Sequence, residues 1–310
     1  MVAYAVVLGA LLSFAAGTVG AATPVVAIIK SSTLPPFEQA TQAIVTMLRH
    51  DPLQPEVLTF DLGGEERNGL DVLGRVHAAH ASLIITVGSL ATAAATAHTI
   101  EPVVFSMVLY PQQSGFHSTA AHGITGASLD IPVDLQFRYL RRLLPTAKRV
   151  GVLFDPAETG SVIEAAKEAA PKHGFTLVAK ALDERTSAVD ALETLTQDVD
   201  LVWAVADSHV FTPQTTSALV LATLRRRVPL IGLSAAHVRA GALAALYCDY
   251  DDIGKQTAEA ALRVLRGENA QDIPISSPRG IGLALNLHTA EHLGVQVAAE
   301  LQTEAGEVVR

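Results

Sequence analysis

The sequence predicts an α/β protein made of two doubly wound parallel-sheet lobes. Three observations lead there. The chain has 310 residues, enough for two domains of ~100–150 residues each. Apolar residues make up 49% and charged ones 17%, a balance that fills large cores and argues against disorder. Unbroken apolar runs of strand length alternate with amphipathic segments, in two successive arrays. Strands apolar on both faces belong to a parallel sheet clad by helices.

The first array opens with a strand over 25–30, VVAIIK. Residues 36–49 have helical periodicity, with Phe37, Ala40, Ile44, Val45 and Leu48 on one face. A strand follows over 56–62, then a helix over 68–79 carried by Leu70, Val72, Leu73 and Val76. The run LIITV predicts a strand over 83–87, a helix starts almost at once over 89–97, and a fourth strand covers 102–109. Residues 123–130, within GITGASLDIP, lack strong periodicity and read as the crossover between lobes. A helix over 132–143 leads into the second array. That array comprises strands over 149–154, 175–179, 201–205 and 229–233, with helices over 159–173, 187–197 and 213–226. Right-handed parallel crossovers make two doubly wound lobes the default topology.

The net charge of −9 argues against a nucleic-acid partner, which needs a basic face. The triplet Arg225-Arg226-Arg227 sits at an expected helix end, where cations suit the helix dipole. Residues 1–21 read as a secretory leader: Val2 to Ala16 is apolar and uncharged, and small residues precede the cut after Ala21. The basic start of such a leader is missing, so an uncleaved membrane anchor stays open as an alternative. Cys248 is the single cysteine, which excludes an intramolecular disulfide. An exported, cysteine-poor body fits a bacterial periplasmic protein better than a small disulfide scaffold.

In open α/β sheets ligands sit beyond the carboxyl ends of the strands. That rule nominates Ser31, Ser32 and Phe37 after the first strand, Ser89 and Thr92 after the third, and Tyr110 after the fourth. In the second array it nominates Asp207, Ser208 and Ser234. The Ser89 hydroxyl and nearby free N–H groups suit an anion, although Ser also serves there as a plain helix cap. Ser31 and Ser32 offer hydroxyls to a ligand or to their own loop. Asp207 could pair with a ligand ammonium or cap the approach to a helix. Phe37 and Tyr110 could stack on a flat ligand, with core packing the competing role for Phe37. His288, Glu291 and His292 spell a zinc-protease pattern, but little chain remains after them to supply a further ligand. Cys248, beside Asp249, has no neighbour that would stabilise a thiolate.

Three blocks carry a family resemblance. They begin ITGASLDIPVDLQFRYLRRLLPTAKRVGVLFDP (from Ile124), VDLVWAVADSHV (from Val199) and VPLIGLSAAHVRAGALAALYCDYDDIGKQT (from Val228). Their order and spacing resemble a type I periplasmic solute-binding protein of an ABC importer, within the substrate-binding family that includes tryptophan- and tyrosine-binding members. The resemblance implies two lobes joined by three crossover strands. One lobe would hold 22–124 plus 250–274, and the other 125–249 plus 275–310. It implies lobes that close over a small organic solute, such as an amino acid or related compound, and present the closed shape to an ABC permease in the inner membrane. It implies a monomer with no cofactor, no metal and no catalysis. It also puts ligand contacts near the Ser89 turn and in the Asp207 loop. The chain departs from the family at Tyr110, where an Asp is usual, and in KSSTLPPFEQ, which lacks the His-Pro character of amino-acid binders. A module feeding a sensor or chemoreceptor, or an enzyme on the same scaffold, remains an alternative.

Overall fold

The computed structural model describes residues 23–117, 123–182, 186–212 and 214–310. The expected leader, 1–21, lies outside them.

The first sheet contains β1 (Val25–Lys30), β2 (Glu56–Asp61), β3 (Leu83–Val87), β4 (Val103–Val108) and β5 (Ile124–Ser128). They lie in the order β2-β1-β3-β4-β5, every pair parallel. Alternation along the strands feeds two separate cores. Val26, Ile28, Ile85 and Val104 pack beneath α1 (Pro35–His50) and α9 (Tyr250–Leu265). Ala27, Ile29, Ile84 and Phe105 pack beneath α2 (Gly69–Ala78) and α3 (Ser89–His98). Each central strand is buried on both sides, which is why its sequence is apolar without a break. Edge strand β2 is only half-buried.

The helices begin where local chemistry starts them. Proline at the first turn, with Glu38 behind it and Arg49 and His50 at the end, suits both ends of α1. Asp249 caps α9 by accepting hydrogen bonds from the Asp251 and Asp252 N–H groups.

The second sheet holds β6 (Arg149–Phe154), β7 (Thr176–Ala181), β8 (Leu201–Trp203), β9 (Leu230–Gly232), β10 (Ala244–Cys248), β11 (Ile281–Asn286) and β12 (Glu307–Val309). Their order is β12-β11-β10-β9-β8-β6-β7. All neighbours are parallel except β10 and β11, which run antiparallel with Cys248 opposite Ile281. Helices α4 (Val133–Leu143) and α5 (Pro156–Lys172) cover one face, over Val150, Val152, Leu201 and Trp203. Helices α6 (Ala188–Leu195) and α7 (Thr216–Arg226) cover the other, over Leu153, Val202 and Leu230.

Residues 125–128, expected in the second lobe, pair instead with β4 as the fifth strand of the first sheet. Beyond β5, Ser276 adds to the same edge: its N–H donates to Gly126 O (2.9 Å) and its carbonyl accepts from Ser128 N–H (2.9 Å). The chain therefore leaves the first sheet after Ser128 and again after Ser276. It crosses through 129–132, through Asp249, and through 277–280. Ser234, nominated as a strand-end contact, is the cap of a short helix, α8 (Ala235–Arg239). Two further helices, α10 (Leu287–Leu293) and α11 (Ala299–Glu304), close the second lobe.

Helix α9 comes back to the first lobe and lies against α1. The approach is close enough that a Cβ on Gly254 would stand 2.4 Å from Ala40 O and 2.8 Å from Ala43 Cβ. Gly254→Val is therefore expected to push the two helices apart and to cost about 1–3 kcal/mol, read as a lower midpoint in chemical denaturation.

Candidate functional site

At the top of the first sheet the chain is drawn tight around Gly88. This residue has φ 90° and ψ 160°, and a Cβ there would lie 2.6 Å from Ser31 Oγ and 2.9 Å from Phe37 Cζ. Glycine is thus required by both conformation and space. Ser31 is buried, and its hydroxyl accepts the Ala91 N–H at 3.0 Å. It caps α3 from a neighbouring loop. Thr92, expected at the ligand, is completely buried and donates to Gly88 O (2.9 Å) within reach of Thr86 Oγ1 (2.8 Å). It holds the turn. Phe37 packs half-buried on the first-lobe core. Ser32 is half-buried and Ser89 exposed, and neither hydroxyl has a partner among the described residues. Lys30, at the end of β1, is paired with Glu38 and, at 3.4 Å, with Asp61. Burial alone would lower its pKa, but these carboxylates hold it above the ordinary lysine value.

The second lobe gives its expected contacts structural work as well. Asp207 is 2% exposed. Its Oδ2 accepts from Asp155 N–H (2.6 Å) and Thr159 Oγ1 (2.7 Å), and its Oδ1 from His209 N–H (3.0 Å). A carboxylate with three internal donors stitches β8 to the start of α5, so the expected pairing with a ligand ammonium gives way to loop assembly. Ser208 is exposed and donates its hydroxyl to Glu158 (2.7 Å). Ser234 accepts the His237 N–H (3.4 Å) as the cap of α8.

Glu158, Asp207 and His209 bring one ligating atom each within 4.8 Å of one another. All three are already engaged: Asp207 as above, Glu158 with Ser208, and His209 Nδ1 with Asp155 Oδ2 at 2.9 Å. They fit a bonded network better than an ion cage. His288, Glu291 and His292 are exposed on α10 and form no such group among the described residues.

The one predicted contact that lines a substantial void is Tyr110. A cavity of about 530 Å³ opens where the exit of β4, the crossing 129–133, helices α4 and α5, and the ends of β8 to β10 meet. Trp203, Val205, Ile231, Leu246 and Leu283 form its sheet-side floor, and Leu140, Leu143 and Val162 its helical roof. Trp203 is fixed in place: Nε1–H donates to Gln136 Oε1 (2.8 Å), Gln136 Nε2 donates to Ile131 O (2.8 Å), and the indole meets the Phe137 ring edge-on at 5.3 Å. The size lies within the range of about 300–1,000 Å³ usual for small-molecule pockets, and so does the mix of apolar walls with few polar groups.

Tyr110 and Asp130 stand at the mouth. Tyr110 has φ 48° and Met107, at a register shift between β4 and β5, has φ 60°. Two left-handed non-glycine residues so close together mark a strained exit from the strand, and such strain gathers at functional sites. The Tyr110 N–H donates to Asp130 Oδ1 (2.9 Å), and its ring packs on the second-lobe core. Gln113 Nε2 donates to Ser161 Oγ (2.7 Å). The loop after β4 thus reaches across to the second lobe. Burial, and then the charge of Asp130, push the Tyr110 phenol well above its ordinary pKa. Burial also raises the Asp130 carboxyl, despite the Tyr110 N–H and the Ser128 hydroxyl nearby. Sequence reasoning missed Asp130. Its signal was an acid set between Leu129 and Ile131 in an otherwise apolar crossing.

The comparisons with known proteins bear on this arrangement. The sequence profile of the ABC transporter substrate binding protein family matches residues 63–309. The chain belongs to that family. A tyrosine-binding protein of Clostridioides difficile is 24% identical over 200 residues, 63% of this chain. That match covers 57% of the relative's own length. Among solved structures, a ligand-free, open substrate-binding protein with adhesive properties from Clostridium difficile superimposes with a TM-score of 0.76 at 20% identity, covering 93% of this chain and 99% of the other. An ABC domain in complex with L-Trp from Streptococcus pneumonia gives 0.69 at 20% identity, covering 93% and 100%. Both share the fold of two parallel-sheet α/β lobes.

Two tests follow from the site. Cys248 is 8% exposed, and burial together with the Asp130 charge pushes its thiol up to about 12. A disulfide reagent at pH 8 is expected to react slowly with the native protein and at once after denaturation. Asp207→Ala strands three donors, at a cost of about 1–3 kcal/mol for each buried group left unpaired. The expected outcome is a large fall in the thermal midpoint.

Proposed function

We infer that the protein is the extracytoplasmic solute-binding component of an ABC importer, a non-catalytic monomer that captures a small organic solute and hands it to an inner-membrane permease. The cavity at the lobe junction is the observation that carries this reading. Its mouth is built from the β4 exit loop, two of the three crossing segments and the first turn of α9, while its body lies in the second lobe. A guest there touches residues on both sides of the pivot, so its binding energy favours one relative position of the lobes.

The family gives the same direction, and the printed names of two similar proteins, one tyrosine-binding and one in complex with L-Trp, favour a solute with an aromatic body. The lining agrees in character: Trp203, Tyr110, Tyr139 and Tyr250 all border the space. No helix among the described residues is long and apolar enough to cross a membrane. Export rests on the uncharged apolar leader.

The cavity supplies its own reporter, since Trp203 is the single tryptophan of the chain. A thermal-shift screen of small organic solutes should find a stabiliser, because a ligand that binds the folded form alone raises the melting point. The same compound should change the fluorescence of Trp203 and shrink the radius of gyration in solution scattering. A stabiliser that leaves the indole emission untouched would place the guest elsewhere.

A further inference from the structure

The chemistry of the cavity wall narrows what it can hold, on the reading that this cavity is the solute site. Its lining contains one carboxyl group, that of Asp130, and no Lys, Arg or His. That carboxylate has no cationic partner among the described residues: it accepts the Tyr110 N–H, and no ion pair reaches it. A carboxylate taken partly out of water without a counter-charge is costly, and a cation brought beside it offsets that cost. The nearest part of the second-lobe rim adds to the same sign, since Asp207 and Glu158 both act electrostatically on Tyr110.

The walls near Asp130 suit a cation as well. Tyr110 and Tyr250 border the cavity on the pivot side, and Trp203 lies deeper. Aromatic faces attract an ammonium through the ring quadrupole and stack on a flat apolar body. Tyr139 is already partly used, with the Arg142 guanidinium 5.0 Å from its ring. A ligand carboxylate, by contrast, finds no cation in the lining, only neutral donors such as Ser161, Ser277 and Tyr250. Lys30, the buried cation of the first lobe, is outside the lining and is held by Glu38 and Asp61. The free N–H groups at the start of α3 are outside it too.

We propose that the cavity takes an amine: a flat, apolar body bearing one cationic nitrogen beside Asp130, and no carboxylate. The amino group is the recognised head and the aromatic portion fills the space between Trp203 and the roof of α4. This class differs from the free aromatic amino acids by the group for which the cavity has no cationic partner.

The test compares matched compounds by titration calorimetry on the intact protein. Tyramine and tryptamine are set against L-tyrosine and L-tryptophan, against the amine-free 3-(4-hydroxyphenyl)propionate, and against the neutral 4-ethylphenol. The amines should bind at least about tenfold tighter than each counterpart, the margin expected of one charged hydrogen bond. Asp130→Asn keeps an acceptor for the Tyr110 N–H and should weaken the amines about ten- to a hundredfold without lowering the ligand-free melting point. Equal or tighter binding of an amino acid, the acid or the neutral phenol would overturn the proposal, and so would amine affinity indifferent to Asp130→Asn. The comparison of compounds on the unaltered chain decides the matter even where the variant folds badly. If none of these compounds binds but the wider screen finds another stabiliser, the amine assignment falls and the solute-binding role stands. If no solute of any kind stabilises the protein, the role itself falls.

Discussion

The constraint on which the molecule depends is that its backbone must pass three times between two sheets through one narrow zone. Each passage carries N–H and C=O groups that regular pairing no longer satisfies. The fold meets that demand locally. Ser276 extends the edge of β5, Asp249 caps α9, and the Asp130 carboxylate takes the Tyr110 N–H. The same zone borders the cavity. Of these groups Asp130 also lines the cavity, so one residue both steadies a crossing and faces a guest.

Much of the architecture was legible because burial on both faces leaves a plain mark. VVAIIK and LIITV are continuous apolar runs, and both are strands with their side chains in two cores. Strand β5 escaped because ITGAS is short and contains Gly126. That glycine is there for space: a Cβ would lie 2.2 Å from Phe105 O. A residue chosen for close approach removes the hydrophobic signal by which a strand is recognised. Helix α8 is short enough that its Ser234 cap, rather than its periodicity, defines it.

The site was less legible, and for a specific reason. The rule that ligands gather at strand ends finds the right loops but cannot say which way a side chain turns. Asp207, Thr92 and Ser31 all lie in nominated loops, and all three point inward to satisfy backbone or hydroxyl groups. A loop that must hold a fixed shape consumes its own polar residues first. Tyr110 was legible by position, whereas its left-handed backbone and its reach into the other lobe were not. Asp130 lay in the segment read only as a connection.

The antiparallel pairing of β10 with β11 has a mechanical consequence. Cys248 and Ile281 are partners at the ends of those strands, so two of the three connecting strips leave the second lobe side by side, riveted by a shared ladder. A pair of strips fastened in this way bends readily about a line across both but resists twisting and sliding. Opening and shutting on a guest, as proposed above, would then follow nearly a single coordinate, like a lid on a piano hinge. Dyes attached on opposite jaws would consequently report occupancy as one distance, which makes this scaffold a natural starting frame for an optical biosensor.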